Sequence, residues 1–177
     1  MSSLKNKFMK KSFLLVLVSC LSLIACNNGK SGDGIYYNDF ETMGYWSDSP
    51  KIDRNIGHSG TFSVFTDASN EYTEGFKVRL GDIKVSNQHL VTATAWVMAN
   101  DVNAKSQLVI NIDSSGKSIA WVASQTQQVI LIPGKWFELK CTLTLPNYLN
   151  PDDKLFVFGW YNGSGKVYYD DLLIKVE

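Results

Sequence analysis

The chain has 177 residues with 17 Lys+Arg against 17 Asp+Glu, and its hydrophobic share of 45% is that of a folded globular protein. The first 25 residues hold four of the basic side chains and no acidic one, so the other 152 residues carry 13 against 17, a net charge of −4, and suit one domain. A mildly acidic domain without a basic run lacks the footprint that phosphate backbones require, which excludes nucleic acid as a partner.

In chain order, Lys5, Lys7, Lys10 and Lys11 precede an apolar run from Phe13 to Ala25. A charged start, an apolar stretch and small residues at its end are the parts of a secretory signal, here residues 1–25. The run of 13 residues falls short of the roughly 20 that a helix needs to cross a bilayer. Its close, Leu23-Ile24-Ala25-Cys26, resembles the bacterial lipoprotein signal. That resemblance implies that Cys26 is lipidated and begins the mature chain, giving a membrane partner through a lipid anchor in the bacterial cell envelope. One acyl chain binds membranes only marginally, on the order of 10⁴ M⁻¹, whereas a lipoprotein cysteine carries two or three and is held stably. The residues after Cys26 lack an inner-membrane retention acid, which favours the outer membrane and leaves its periplasmic and exterior faces both open. Asn27 to Gly34 has no apolar residue and three glycines, so residues 26–34 read as the lipidated cysteine and a flexible linker.

From residue 35 to 177 the apolar period is two. Candidate strands are Tyr36–Glu41, Phe62–Thr66, Gly75–Leu80, His89–Ala99, Gln107–Asp113, Ser118–Gln125, Val129–Ile132, Phe137–Leu145, Leu155–Tyr161 and Val167–Val176, separated by Gly, Asn, Asp, Ser and Pro. Such strands predict an all-β domain of two packed antiparallel sheets. Parity assigns Phe76/Val78/Leu80, Val91/Ala93/Ala95/Val97, Leu108/Ile110/Ile112, Phe137/Leu139/Cys141/Leu143 and Leu172/Ile174/Val176 to the interior. With Cys20 in the leader and Cys26 acylated, Cys141 has no disulfide partner and reads as an inert core thiol. Neither His58 nor His89 sits in a spacing that suggests a catalytic dyad or a zinc site.

The opposite faces carry Lys77 and Arg79, then Thr92, Thr94 and Trp96, then Gln107 and Asn111. In Ile119/Trp121/Ala123 and Phe156/Phe158/Trp160 the apolar residues adjoin apolar neighbours, so these strands are either covered on both sides or present a tryptophan on an open surface. In the last strand Asp170 shares parity with Leu172, Ile174 and Val176, which predicts a core-facing carboxylate that needs a partner. A bound cation, backbone amides or a wet strand end would each supply one.

Five motifs add a resemblance: Asn38-Asp39-Phe40-Glu41 with Gly44-Tyr45-Trp46, His58-Ser59-Gly60-Thr61-Phe62-Ser63-Val64, Ala95-Trp96-Val97, Pro133-Gly134-Lys135-Trp136-Phe137-Glu138-Leu139, and Val167-Tyr168-Tyr169-Asp170-Asp171-Leu172. In this order and spacing they resemble carbohydrate-binding modules of the galactose-binding-like jelly-roll type over residues 35–177. The resemblance implies a jelly-roll β-sandwich. It also implies a structural Ca²⁺ held by Glu41, Asp170 and the carbonyls around Ser59 and Gly60. Trp136 it places as a packing residue.

A sugar ring offers an apolar C–H face and a polar rim, so a glycan site joins flat aromatics to hydrogen-bonding groups. The candidates are Trp96, Trp121 and Trp160 as platforms, Trp46 from a loop, and Arg79, Gln107 and Asn111 as polar contacts. The expected function is a lipid-anchored, non-catalytic binder of glycan or polysaccharide. An assembly lipoprotein that uses the same face for an envelope protein partner is the alternative. A glycoside hydrolase or lyase is a third reading, but no close carboxylate array lies along any strand, and Asp170-Asp171 point to opposite faces.

Overall fold

The computed structural model describes residues 34–42, 52–83 and 90–177. Cys26, the leader, most of the linker and Trp46 lie outside the described residues. The strands are β1 (Ile35–Asn38), β2 (Ile52–Asp53), β3 (Ser63–Thr66), β4 (Phe76–Arg79), β5 (Leu90–Ala99), β6 (Lys105–Ser114), β7 (Lys117–Gln125), β8 (Phe137–Thr144), β9 (Lys154–Ser164) and β10 (Val167–Val176). They form two antiparallel sheets of a jelly-roll sandwich. One runs β2-β3-β10-β5-β8 with β1 also paired to β10, and the other runs β4-β9-β6-β7.

Alternation builds the core between them. Val91, Ala93, Ala95, Val97, Leu139, Cys141, Leu172, Ile174 and Val176 of the first sheet face Leu108, Ile110, Ile112, Leu155 and Val157 of the second, and all are buried. A polar tie crosses this interior. The Tyr169 hydroxyl reaches Ser106 Oγ and donates to the Gln107 carbonyl at 3.2 Å, while Ser106 Oγ donates to the Trp160 carbonyl at 2.8 Å and lies 2.8 Å from Thr66 Oγ1. The phenol therefore joins β10 of one sheet to β6 and, through Ser106, to β9 of the other. Its ring passes so close to Gly159 that a Cβ there would come within 2.8 Å of it, which only glycine avoids.

Two expectations change and one strand is added. Val129–Ile132 is not a strand, because the amides of Val129 and Ile130 both bond back to the Thr126 carbonyl and wind the chain into a turn that leaves Leu131 and Ile132 exposed. The two-residue strand β2, pairing Ile52 with Val64, has no alternation to reveal it. Asp170 does not face the core. Tyr169, paired with Val97, points inward, and Asp170, paired with Trp96, points outward. A bulge between Asp170 and Leu173 then restores inward parity to Leu172, with Asp171 at φ 49°, a left-handed conformation that Asp tolerates better than most residues.

Candidate functional site

The outer face of the β4-β9-β6-β7 sheet gathers the site. Register sets four rows across it: Trp160–Gln107–Gln125, Phe158–Val109–Ala123, Lys77–Phe156–Asn111–Trp121, and Arg79–Lys154–Asp113. Phe156, Phe158 and Trp160 fall on one side of β9 because Leu155, Val157 and Gly159 occupy the other, in contact with the core. A bulge at Ile112/Asp113 frees Ile119 from the alternation and leaves Trp121 outward, the most open of these indoles at 49% exposed.

The aromatic side chains form one array. Trp121 and Trp160 meet edge to face with centroids 6.2 Å apart, and Tyr72 meets Phe158 edge to face at 5.7 Å. Tyr72 is carried there by the chain before β4, which lines up against β9: Tyr72 bridges Trp160, Thr73 N–H donates to the Gly159 carbonyl, and Tyr161 N–H donates to the Glu71 carbonyl. Beneath the rings Val109 faces outward yet is fully buried, and Gln107 is 6% exposed. Polar groups ring the array. Trp160 Nε1 donates to Glu71 Oε1 at 3.3 Å, Asn162 Nδ2 to Gln125 Oε1 at 3.2 Å, and Ser118 Oγ to Asn111 Oδ1 at 2.5 Å, while Lys77 Nζ sits 5.4 Å from the Phe156 ring centre.

Of the residues singled out by sequence, Trp121, Trp160, Gln107 and Asn111 come together here. Arg79 lies at the far corner, where its guanidinium is taken by Asp82 at 2.8 and 3.0 Å and by Asp152 at 3.5 Å. Trp96 belongs to the other sheet, since β5 shares no edge with this one, and His58 stacks on it at 3.9 Å. Tyr72, Phe156, Phe158, Glu71 and Gln125 escaped the sequence reading. Tyr72 lies outside any strand, and the unbroken apolar run of β9 conceals which of its residues face out.

Among the described residues Glu71 and Asp113 of these rows are far apart, whereas Asp82 and Asp152 meet at the Arg79 guanidinium, which lies between them at the far corner. Glu71 stands beside Trp160 in the first row and Asp113 in the fourth, six residues along β6, or about 20 Å at the rise of a strand. Hydrolysis of a glycosidic bond by paired carboxylates needs them within roughly 5–10 Å.

The residues that the resemblance assigned to calcium also converge, on the opposite sheet. There the segment around His58 folds over Asp170, which is fully buried although it faces outward. Asp170 Oδ2 accepts the amides of His58 at 2.6 Å and Ser59 at 3.1 Å, and its Oδ1 accepts the Asp171 amide at 2.7 Å. Glu41 Oε1 accepts the amides of Thr61 at 2.7 Å and Phe62 at 2.6 Å. Gly60, at φ +68°, lies so close that a Cβ would come within 2.3 Å of the Glu41 carboxyl carbon. Asp171 completes the cluster by accepting from His58 Nδ1 at 2.5 Å, from Ser59 Oγ at 2.6 Å and from the Tyr37 hydroxyl. Because a carboxylate only accepts, His58 Nδ1 carries the proton. Burial pushes the Asp170 carboxyl up to about 7 against the pull of its amides. At Asp171 burial acts in the same direction, but the Ser59, Tyr37 and His58 bonds outweigh it and hold the carboxyl below the usual range. Amide and hydroxyl hydrogens point at these carboxylate oxygens. The cluster is thus a hydrogen-bonded clasp, and a cation placed here would have to displace those hydrogens.

A family model described as a carbohydrate binding domain matches residues 32–160. Among solved structures, the chain is similar to the CBM22-2 xylan-binding domain of Paenibacillus barcinonensis Xyn10C, at 16% identity and a TM-score of 0.53 over 80% of this chain and 99% of that one. It is also similar to the CBM22-1–CBM22-2 tandem of the same protein, at 18% identity and a TM-score of 0.55 over 85% of this chain and 51% of that one. No curated protein matches the sequence.

Proposed function

The chain belongs to the carbohydrate binding domain family, and from that premise we propose that it is a non-catalytic glycan binder whose ligand lies across the outer face of the β4-β9-β6-β7 sheet. The observation that carries this reading is the array of Tyr72, Phe158, Trp160 and Trp121 framed by Asn111, Gln125 and Glu71. Flat rings match the C–H faces of sugars, and the amides and carboxylate around them match hydroxyl rims. The proposal includes a lipid anchor at Cys26 in the bacterial envelope, supported by the basic and apolar leader that precedes it. Electrophoresis through gels containing single polysaccharides tests the binding: retardation by one of them is the expected result, and unchanged mobility in all of them refutes it. Radiolabelled palmitate incorporated by the parent chain and lost in Cys26→Ser tests the anchor.

A second reading, an envelope protein partner, draws on Leu131 and Ile132. These are 71% and 55% exposed at the turn before β8.

A further inference from the structure

Among the described residues two buried side-chain polar atoms have no hydrogen-bond partner, Gln127 Oε1 in the turn after β7 and Gln107 Oε1 on the aromatic face. The neighbours of Gln107 offer it nothing, since Asn162 Nδ2 is directed to Gln125, Trp160 Nε1 to Glu71 and Ser118 Oγ to Asn111. A buried carbonyl oxygen with no donor costs free energy that the fold would avoid by placing an apolar residue there, as it does at Val109 two positions on. Trp160 of β9 pairs directly with Gln107, and Trp121 of β7, which pairs with Asn111 two rows along, reaches back to meet Trp160 edge to face.

On the glycan-binding reading above, we propose that Gln107 Oε1 is the acceptor for a hydroxyl of the bound sugar, and that the Trp121–Trp160 pair is the closed form of this subsite, parting to admit it. The carboxamide oxygen is uncharged and only accepts, so it selects a donor hydroxyl. Glu71 beside Trp160 disfavours a uronate in this row, while Lys77, Arg79 and Lys154 lie in the third and fourth rows and Lys105, two residues before Gln107, pairs with Ser164 beyond a bulge. The sugar unit taken here is therefore neutral. A hydroxyl that meets Gln107 satisfies the unmet acceptor, so ligand binding removes a cost that the free protein carries.

The test uses the full chain in detergent, with xylan, mixed-linkage β-glucan, galactomannan and polygalacturonate as probes, and the variant Gln107→Met, which keeps the side chain's length and removes the acceptor. The parent protein is expected to bind one of the neutral polysaccharides. The variant is expected to bind it about tenfold more weakly while melting at the same temperature or higher. The far-ultraviolet exciton couplet of the paired indoles is expected to collapse at saturation. Unimpaired binding by Gln107→Met, a lower melting temperature in the variant, a couplet unchanged at saturation, or binding of polygalacturonate alone each overturns this inference while leaving glycan binding in place. If the parent protein binds none of the four, the glycan-binding reading falls and this inference with it.

Discussion

Tyr169→Phe removes one oxygen from the point where the two sheets are tied. The phenol is fully buried and bonds Ser106 Oγ and the Gln107 carbonyl. Phenylalanine fills the same space, so no cavity term arises and the loss is that of the hydrogen bonds. Ser106 retains Thr66 and the Trp160 carbonyl, but the Gln107 carbonyl loses this donor in a region closed to water. Leaving such a group without its donor costs about 1–3 kcal/mol. For a domain of this size each kcal/mol lowers Tm by roughly 3–5 °C, so a fall of about 3–15 °C is expected. Urea unfolding followed by tryptophan fluorescence reads the change as a shift in midpoint at constant slope. A loss below about 0.5 kcal/mol, the range of an ordinary surface substitution, would refute the claim that this hydroxyl ties the sheets.

Gly60→Ala places a methyl against the Glu41 carboxylate and forces alanine to φ +68°, so it should destabilise by about 1–3 kcal/mol, read by thermal melting. Gly116→Ala, at φ +85° with open space around it, carries only the backbone part and should cost less. If the clasp of Glu41, Asp170 and Asp171 is held by amides, a chelator leaves Tm unchanged; a fall that calcium reverses would place an ion there. Alkaline pH should weaken the fold through Tyr169, whose phenol burial holds above the ordinary value of 10.0. The unfolded chain releases this proton near pH 10 and the folded chain keeps it, so its contribution is intact below that pH and declines above it by up to about 1.4 kcal/mol per pH unit. Urea titrations at rising pH should show this slope and Tyr169→Phe should reduce it; equal slopes would count against it.

Alternation made the sandwich readable where one face of a strand is wet. β5 and β6 came through with their inward rows correct because polar Thr92, Thr94, Gln107 and Asn111 mark the other side. It failed where a single residue changes phase. The bulge at Asp171 reversed the side assigned to Asp170, and nothing in a period-two pattern announces an inserted residue. It was silent where both sides of a strand are apolar, so Phe156 and Phe158 could not be given a face until the register with β6 was known. Two residues distant in sequence, His58 and Asp171, meet only because the segment before β3 folds over the bulge, a contact that no local spacing encodes. Trp96 illustrates the limit most clearly. Parity placed it outside correctly, but parity does not say which sheet's outside.

The most direct test of glycan binding across the β4-β9-β6-β7 face is titration calorimetry of the full chain in detergent against a polysaccharide that retards it, beside the Trp121→Ala/Trp160→Ala double variant and Trp96→Ala. Saturable heat from the parent protein and from Trp96→Ala, with affinity at least about tenfold lower in the double variant, is the predicted result. Equal binding by the double variant, or loss confined to Trp96→Ala, would contradict the account and move the ligand to the opposite sheet.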